Sequence, residues 1–574
     1  MPLPGRRQLT GRKPAFGMGH PMAMTPKTLV SLLVIALCLG SCREEPGEWE
    51  PPEVADSVYL NGKFYTVAAN QEWADSVAIK DGRFMAVGDR KAVEKLIGEQ
   101  TVITDLKGHM VMPGIHDAHT HLELVGKQWT YWCRIPDDAD PDAFIKALQT
   151  CAENRGPDEW LVASAYGPGM FPDQKVDRTH LDKFFPDRPV YIVEHSWHHG
   201  LANSVALQLA GIDPKTPDPE KGTIIRDQAG RATGELVENA TWLVTQYIPP
   251  ASEEDFRKAV KWAIGTHNRY GVTSVQDAST TKLLLRELNA LDNSEGLPLR
   301  VTSHIMWQHS GMGNSSIAAM DSVIENRGQY ATPNVDPDFV KIIVDGSPMP
   351  PHSNHADLDP VTNEIPVEKL LVNPTDLNSA LVRFDGMGIK VKMHCVGTGA
   401  ARAALDAIAA ARNANGDSGI HHEIAHSVWF SPPDIPRLAK LNAVSEMSPA
   451  IWHHGWPGME DAFDFKQLHA NGGLITAGTD WVILPAPNLL PALEGMVTRE
   501  GLSVDLKTGI EILTINGAIS IGKEDEFGSI EVGKSADMAV LDRNLFKVPV
   551  EQISETEVLM TIFRGDVVFS QEGL

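Results

Sequence analysis

Three histidines and an aspartate, His116, Asp117, His119 and His121, crowd the last six residues of "MVMPGIHDAHTH" (110–121). Residues i and i+2 point the same way from an extended strand, so His119 and His121 can offer two neutral imidazoles to one ion. Such a pair alone also fits two polar loop residues. Four further ligand types close other apolar runs: Lys341 in "FVKIIVDGS", His394 in "IKVKMHCVG", His426 in "HHEIAHS" and Asp480 in "GGLITAGTDW". Together they predict a centre for one or two divalent metal ions per chain. Imidazole and carboxylate ligands suit Zn2+, and iron, manganese or cobalt fit as well, because no cysteine belongs to the set. Water at an open metal position has its pKa lowered to about 7, so the expected chemistry is hydroxide attack on a carbonyl. Asp480 is the candidate proton carrier, accepting from the attacking water and delivering to the departing nitrogen. His198 is a candidate for holding the carbonyl oxygen or a substrate carboxylate, and a packed structural histidine fits it equally. Asp345, four residues after Lys341, is a candidate for orienting the site from behind.

Side chains this far apart in sequence converge only if one architecture aims them all at one point. Eight runs have the required form: "MVMPGIHDAHTH", "VTSVQDA", "LRVTSHIMW", "FVKIIVDGS", "IKVKMHCVG", "HHEIAHS", "AVSEMSP" and "GGLITAGTDW". Each ends in polar residues, and helical stretches alternate with them. This predicts an α/β fold, a (β/α)8 TIM barrel over 110–524 with its site at the carboxyl ends of the strands. "YIVEHSW" (191–197) also reads as a strand and belongs to a long excursion, about 125–265, between the first and second barrel units. The chain ends carry short β-type runs separated by Asn-Gly, Asp-Gly and Lys-Gly turns. They predict a small β-sandwich domain built from 58–109 and 525–574.

With 574 residues and 42% hydrophobic content, the chain can bury a large core. A formal charge of −25 makes nucleic acid and anionic lipid headgroups poor partners and leaves a small-molecule substrate, with self-association open. The amino terminus is basic and acid-free up to Lys27, continues into an apolar run over 29–40 too short to span a bilayer comfortably, and reaches "LGSC" at 39–42. It resembles a bacterial lipoprotein signal (1–41), which implies cleavage before Cys42, lipid on its thiol, and an acidic, Pro-rich tether over 42–57. An uncleaved signal anchor is the alternative. The resemblance places the chain in the cell envelope, held to the membrane only by that lipid. Arg43 after the cysteine suggests the periplasmic side of the outer membrane where a cell has two membranes. Cys42→Ala protein is expected to leave the detergent-extracted membrane fraction and to change mobility; unchanged fractionation and mobility would overturn the anchor. Of the other cysteines outside the signal, Cys133 and Cys151 are a candidate disulfide, and Cys395 is left over.

"PGIHDAHTH" resembles the first-strand signature of the amidohydrolase superfamily, and the resemblance runs from about Val54 to the end. "NSVALQLAGI", "GTIIRDQAGRATGEL", "VKIIVDGS" and "FGSIEVGKSADMAVLD" are similar to the YtcJ-like, amidohydrolase 3 branch, which includes N-substituted formamide deformylases. The resemblance implies that His119, His121 and Asp480 hold one metal and His394 and His426 another, with Lys341 bridging them as a carbamate. Neighbouring motifs depart from the branch: "SWHHGLANS" keeps His198 but lacks the usual Asp-Gly, "EIAH" replaces Ile-Glu-His, and "HCVGTG" replaces His-Ala-x-Gly-Asp. The resulting expectation is a metal-dependent hydrolase of C–N bonds other than peptide bonds, acting on a small-molecule amide, formamide or cyclic amide. An ester or other carbonyl hydrolase on the same site and a non-catalytic surface binding lipoprotein are the alternatives. His195, His199, His421, His422, His453 and His454 read as supporting or surface groups. Trp197, Trp429, Trp452, Trp456 and Trp481 read as an aromatic wall for an apolar substrate group or as ordinary packing.

Overall fold

The computed structural model describes residues 53–349, 352–454 and 458–572. The expected signal, Cys42 and most of the tether lie outside the described residues, as do Trp456 and the side chains of His453 and His454. Among the described residues no helix is long and apolar enough to cross a membrane.

Eight strands form one sheet in chain order: β1 (Ile115–Thr120), β2 (Val272–Thr280), β3 (Arg300–Trp307), β4 (Val335–Ile343), β5 (Lys390–Cys395), β6 (Glu423–His426), β7 (Val444–Met447) and β8 (Leu474–Ala477). Every neighbouring pair is parallel. A further parallel bridge, Thr120 to Trp481, closes the sheet on itself. Strands of a closed parallel barrel are covered by side chains inside and helices outside, so they read as apolar runs rather than alternating patterns. All nine residues of β2 and all six of β1 are buried accordingly.

All eight runs take their expected places in the barrel, with one difference at the start. Met110–Pro113 leaves the barrel, pairing parallel with Lys63–Ala68 and antiparallel with Met538–Leu541 in a six-stranded sheet. The barrel strand begins only at Ile115. Gly114 lies between the two, where a β-carbon would collide with the Thr273 side chain. That six-stranded sheet faces a four-stranded one made of Ser57–Leu60, Ser76–Lys80, Arg83–Gly88 and Val102–Asp105. Tyr59, Val77 and Phe84 of the smaller sheet and Phe64, Val540 and Ile562 of the larger share one buried cluster, so both chain ends build one sandwich.

Between β1 and β2 a second six-stranded sheet is inserted, running from Cys133–Arg134 to Ala232–Glu238. It contains the strand Val190–Glu194 that "YIVEHSW" announces. The helices flanking it, Leu122–Thr130 and Glu253–Arg269, put Leu122, Val125, Phe256 and Val260 into the barrel core. The inserted sheet therefore sits within the 125–265 excursion, and these two helices tie it to the barrel. Cys133 and Cys151 form a disulfide joining the first inserted strand to the helix Pro141–Glu153. Cys395 is free and buried.

Candidate metal centre

The carboxyl ends of β1 and β8 are locked together by Asp117. Its carboxylate accepts the backbone N–H of His119 at 3.1 Å, the N–H of Thr479 at 2.9 Å and the Thr479 hydroxyl at 2.6 Å. The N–H of Asp480 then donates to the His119 carbonyl at 2.7 Å. These bonds bring two segments 361 residues apart in sequence to one point. His121 Nε2 lies 3.1 Å, and His119 Nε2 3.8 Å, from Asp480 Oδ1. The three side chains form a group able to hold a metal ion, their ligand atoms within 4.8 Å of one another.

The other candidates gather on the same spot. His426, at the end of β6, places Nδ1 3.7 Å from Asp480 Oδ2, and its ring is 4.6 Å from that of His119. His394 on β5 stacks its ring edgewise at 4.4 Å from His426. Lys341 on β4 brings Nζ to 3.3 Å from His119 Nε2. His426 and Asp480 both have left-handed backbone, φ 67° and 49°, a conformation that costs a non-glycine residue energy and that collects at functional sites.

Behind the cluster stand groups that aim it. Glu446 on β7 takes His119 Nδ1 at 2.6 Å, and Ser279 on β2 takes His121 Nδ1 at 2.8 Å. An ionised Glu446 only accepts, and opposite it the hydrogen of a neutral His119 sits on Nδ1 with the Nε2 lone pair turned toward Asp480 and Lys341. Burial holds the His119, His394 and His426 imidazoles well below the ordinary histidine range, and positive neighbours add to it. They are therefore neutral, the form that ligates. His394 Nε2 and Glu446 Oε1 are buried without a hydrogen-bond partner, and buried polar atoms left unpaired call for one. Four imidazoles, a carboxylate and unmet lone pairs around one point fit a divalent metal. Burial also pushes the Lys341 ammonium down, as does the nearby charge of Lys392, and it pushes the Glu446 carboxyl up.

Glu446 was not singled out from sequence, although a carboxylate at the end of the seventh run, "AVSEMSP", was the available signal. Glu446→Gln is expected to weaken metal binding about ten- to a hundredfold, the usual range for a group that orients a ligating histidine. Competition with a chromophoric chelator measures it, and unchanged affinity would assign Glu446 to packing alone.

Asp345 does not pair with Lys341. It accepts the backbone N–H groups of Ala356, Val396 and Gly397 at 2.9–3.0 Å, tying together the loops after β4 and β5, and lies 3.9 Å from His394 Nε2. His198 arrives from the inserted domain, with its ring 4.9 Å from that of His394. Its Nδ1 contacts Glu238 at 2.9 and 3.0 Å. Glu238 also receives His309 Nε2 at 3.0 Å and Asn354 Nδ2 at 2.7 Å. Glu238, His309 and Asn354 carry no sequence signal, since each stands outside the strand-end runs and among other polar residues that do not set it apart.

The cluster and His198 line a cavity of about 250 Å³. Among the described tryptophans expected at such a wall, Trp197 lines it, and Trp132 joins it unannounced. Trp481 is fully buried against Trp262 and His267, Trp429 donates to Asp461, and Trp452 packs on Phe463 and Phe465. His422 is buried on Asp385, and His421 contacts the Asn442 carbonyl.

A profile of the amidohydrolase family matches residues 102–569. The chain belongs to the amidohydrolase family. This amidohydrolase is 26% identical to the N-substituted formamide deformylase of Arthrobacter pascens over 91% of its own length and 99% of that protein's. It is 24% identical to the putative amidohydrolase YtcJ of Bacillus subtilis (strain 168) over 90% and 99%. Protein LONG AFTER FAR-RED 3 of Arabidopsis thaliana is 25% identical over 90% and 92%. In fold the amidohydrolase is similar to an uncharacterized metal-dependent hydrolase from Pyrococcus furiosus, with a TM-score of 0.65 and 20% identity over 86% of this chain and 100% of that one.

Proposed function

We propose that this amidohydrolase is a metal-dependent hydrolase of C–N bonds other than peptide bonds, acting on a small-molecule amide, formamide or cyclic amide at the cell envelope, where lipid on Cys42 holds it. The observation that carries this reading is the His119, His121 and Asp480 group, with Lys341, His394 and His426 gathered beside it, all six lining one cavity. A divalent metal bound there, Zn2+ being the ion we favour, would polarise the substrate carbonyl and supply a water-derived nucleophile at neutral pH. Asp480 takes the proton released as water attacks and returns it to the departing nitrogen, which is a poor leaving group until protonated. His198, with Nδ1 committed to Glu238, has only Nε2 left for substrate and holds the carbonyl oxygen. The similarity to a protein named N-substituted formamide deformylase supports an amide-type substrate.

Metal analysis and turnover test the reading together. Purified protein should retain one to two ions per chain through gel filtration. It should also hydrolyse a member of a panel of N-acyl amines, formamides, hydantoins and lactones in a chelator-sensitive way. Protein without metal and without such turnover would overturn the proposal. Turnover confined to lactones would move it to ester chemistry.

A further inference from the structure

Above the metal-ligand cluster the cavity is walled largely by carbon. Trp132 and Trp197 stack at 5.7 Å and 18°, and Tyr191, Ile248, Phe256 and Met312 line the same cavity. Both tryptophans come from the inserted domain. Trp132 directly precedes Cys133, which the disulfide to Cys151 fixes, and Trp197 is held in left-handed backbone, φ 67°. Trp197 also adjoins His198, so the aromatic wall begins beside the group assigned to the carbonyl oxygen.

Charge at this wall is already spent. Apart from the ligand cluster and His198, the described charged residues lining the cavity are Glu123 and Lys127, which pair with each other. His198 is paired with Glu238. No arginine lines the cavity among the described residues, and Lys341, its other lysine, belongs to the cluster. A carboxylate on a substrate's outer end would lose its hydration there and gain no cation, which disfavours it strongly. An aromatic ring would bury its area against indole faces, a favourable exchange.

We infer that this chamber selects an uncharged amide whose non-reacting substituent is aromatic, seated against Trp132 and Trp197. The inference rests on the hydrolytic reading above and adds the class of substrate. It narrows the choice left open for His198, which serves a carbonyl oxygen and not a substrate carboxylate.

Two measurements on the metal-loaded full chain test it. In turnover, kcat/KM for formanilide should exceed that for 4-formamidobenzoate, the same molecule with a carboxylate, at least tenfold. In calorimetric titration, benzamide should bind at least tenfold tighter than acetamide, and Trp132→Ala and Trp197→Ala should each erase most of that ratio. Trp132→Phe should keep it, which separates a lost aromatic contact from a damaged fold. Equal turnover of formanilide and 4-formamidobenzoate would overturn the inference and leave the hydrolase in place, as would equal binding of benzamide and acetamide. Preferential binding of benzamide without hydrolysis of any amide would support the aromatic chamber and overturn the hydrolytic reading instead.

Discussion

Lys341→Ala protein is expected to lose at least one metal ion per chain and nearly all turnover, and formate or propionate is expected to restore part of both. The argument starts from charge. An ammonium has three N–H donors and no lone pair, so it cannot ligate a metal, and two divalent ions beside it would repel it. Lys341 is 2% exposed, with Nζ 3.3 Å from His119 Nε2. Burial already disfavours its charged form, and the charge of Lys392, whose own partner is Glu423, adds to that. A neutral amine here can attack carbon dioxide: the N–C bond forms, a C–O π bond opens, one proton leaves the nitrogen, and the product is a carbamate whose two oxygens would be available to hold metal. An ion pair with Asp345 would be the ordinary fate of such a lysine, but three backbone N–H groups occupy that carboxylate. Metal analysis and turnover with and without added carboxylate measure the outcome. Lys341→Ala protein that keeps two metals and normal turnover without added carboxylate would rule the carbamate out.

Asp480→Asn should lower turnover by about two to four orders of magnitude, the scale of a lost acid–base group, while part of the metal stays bound. Asparagine keeps an oxygen toward His121 and tolerates the left-handed backbone at this position, φ 49°, better than most residues do. What it cannot do is carry a proton between water and the leaving nitrogen. His119, His121, His394 and His426 are untouched by the change, which is why some metal remains. Near-normal turnover at full metal occupancy would show that another group moves the proton.

The barrel and the candidate ligands are legible in short windows of sequence. Each of the eight strands carries apolar residues and has a polar residue at or just past its carboxyl end, and this pattern is complete within about ten residues. The HxH at 119–121 is legible for the same reason, since the two-residue repeat of a strand sets the direction of both side chains. Only the tertiary structure decided matters of partnership between distant segments. Met110–Pro113 and Ile115–Thr120 look like one strand in sequence, and their assignment to two sheets depends on partners in both chain ends for one, Lys63–Ala68 and Met538–Leu541, and on Val272–Thr280 for the other. Glu238 meets His198, His309 and Asn354 from separations of 40, 71 and 116 residues, each through a side chain that no periodicity marks out. Trp132 reaches the cavity while Trp481 is buried in the core, a difference decided by their distant neighbours. Local periodicity encodes which way a side chain points from its own strand. Which surface it then meets is fixed by long-range packing of the inserted sheet on the barrel, and no short window of sequence carries that.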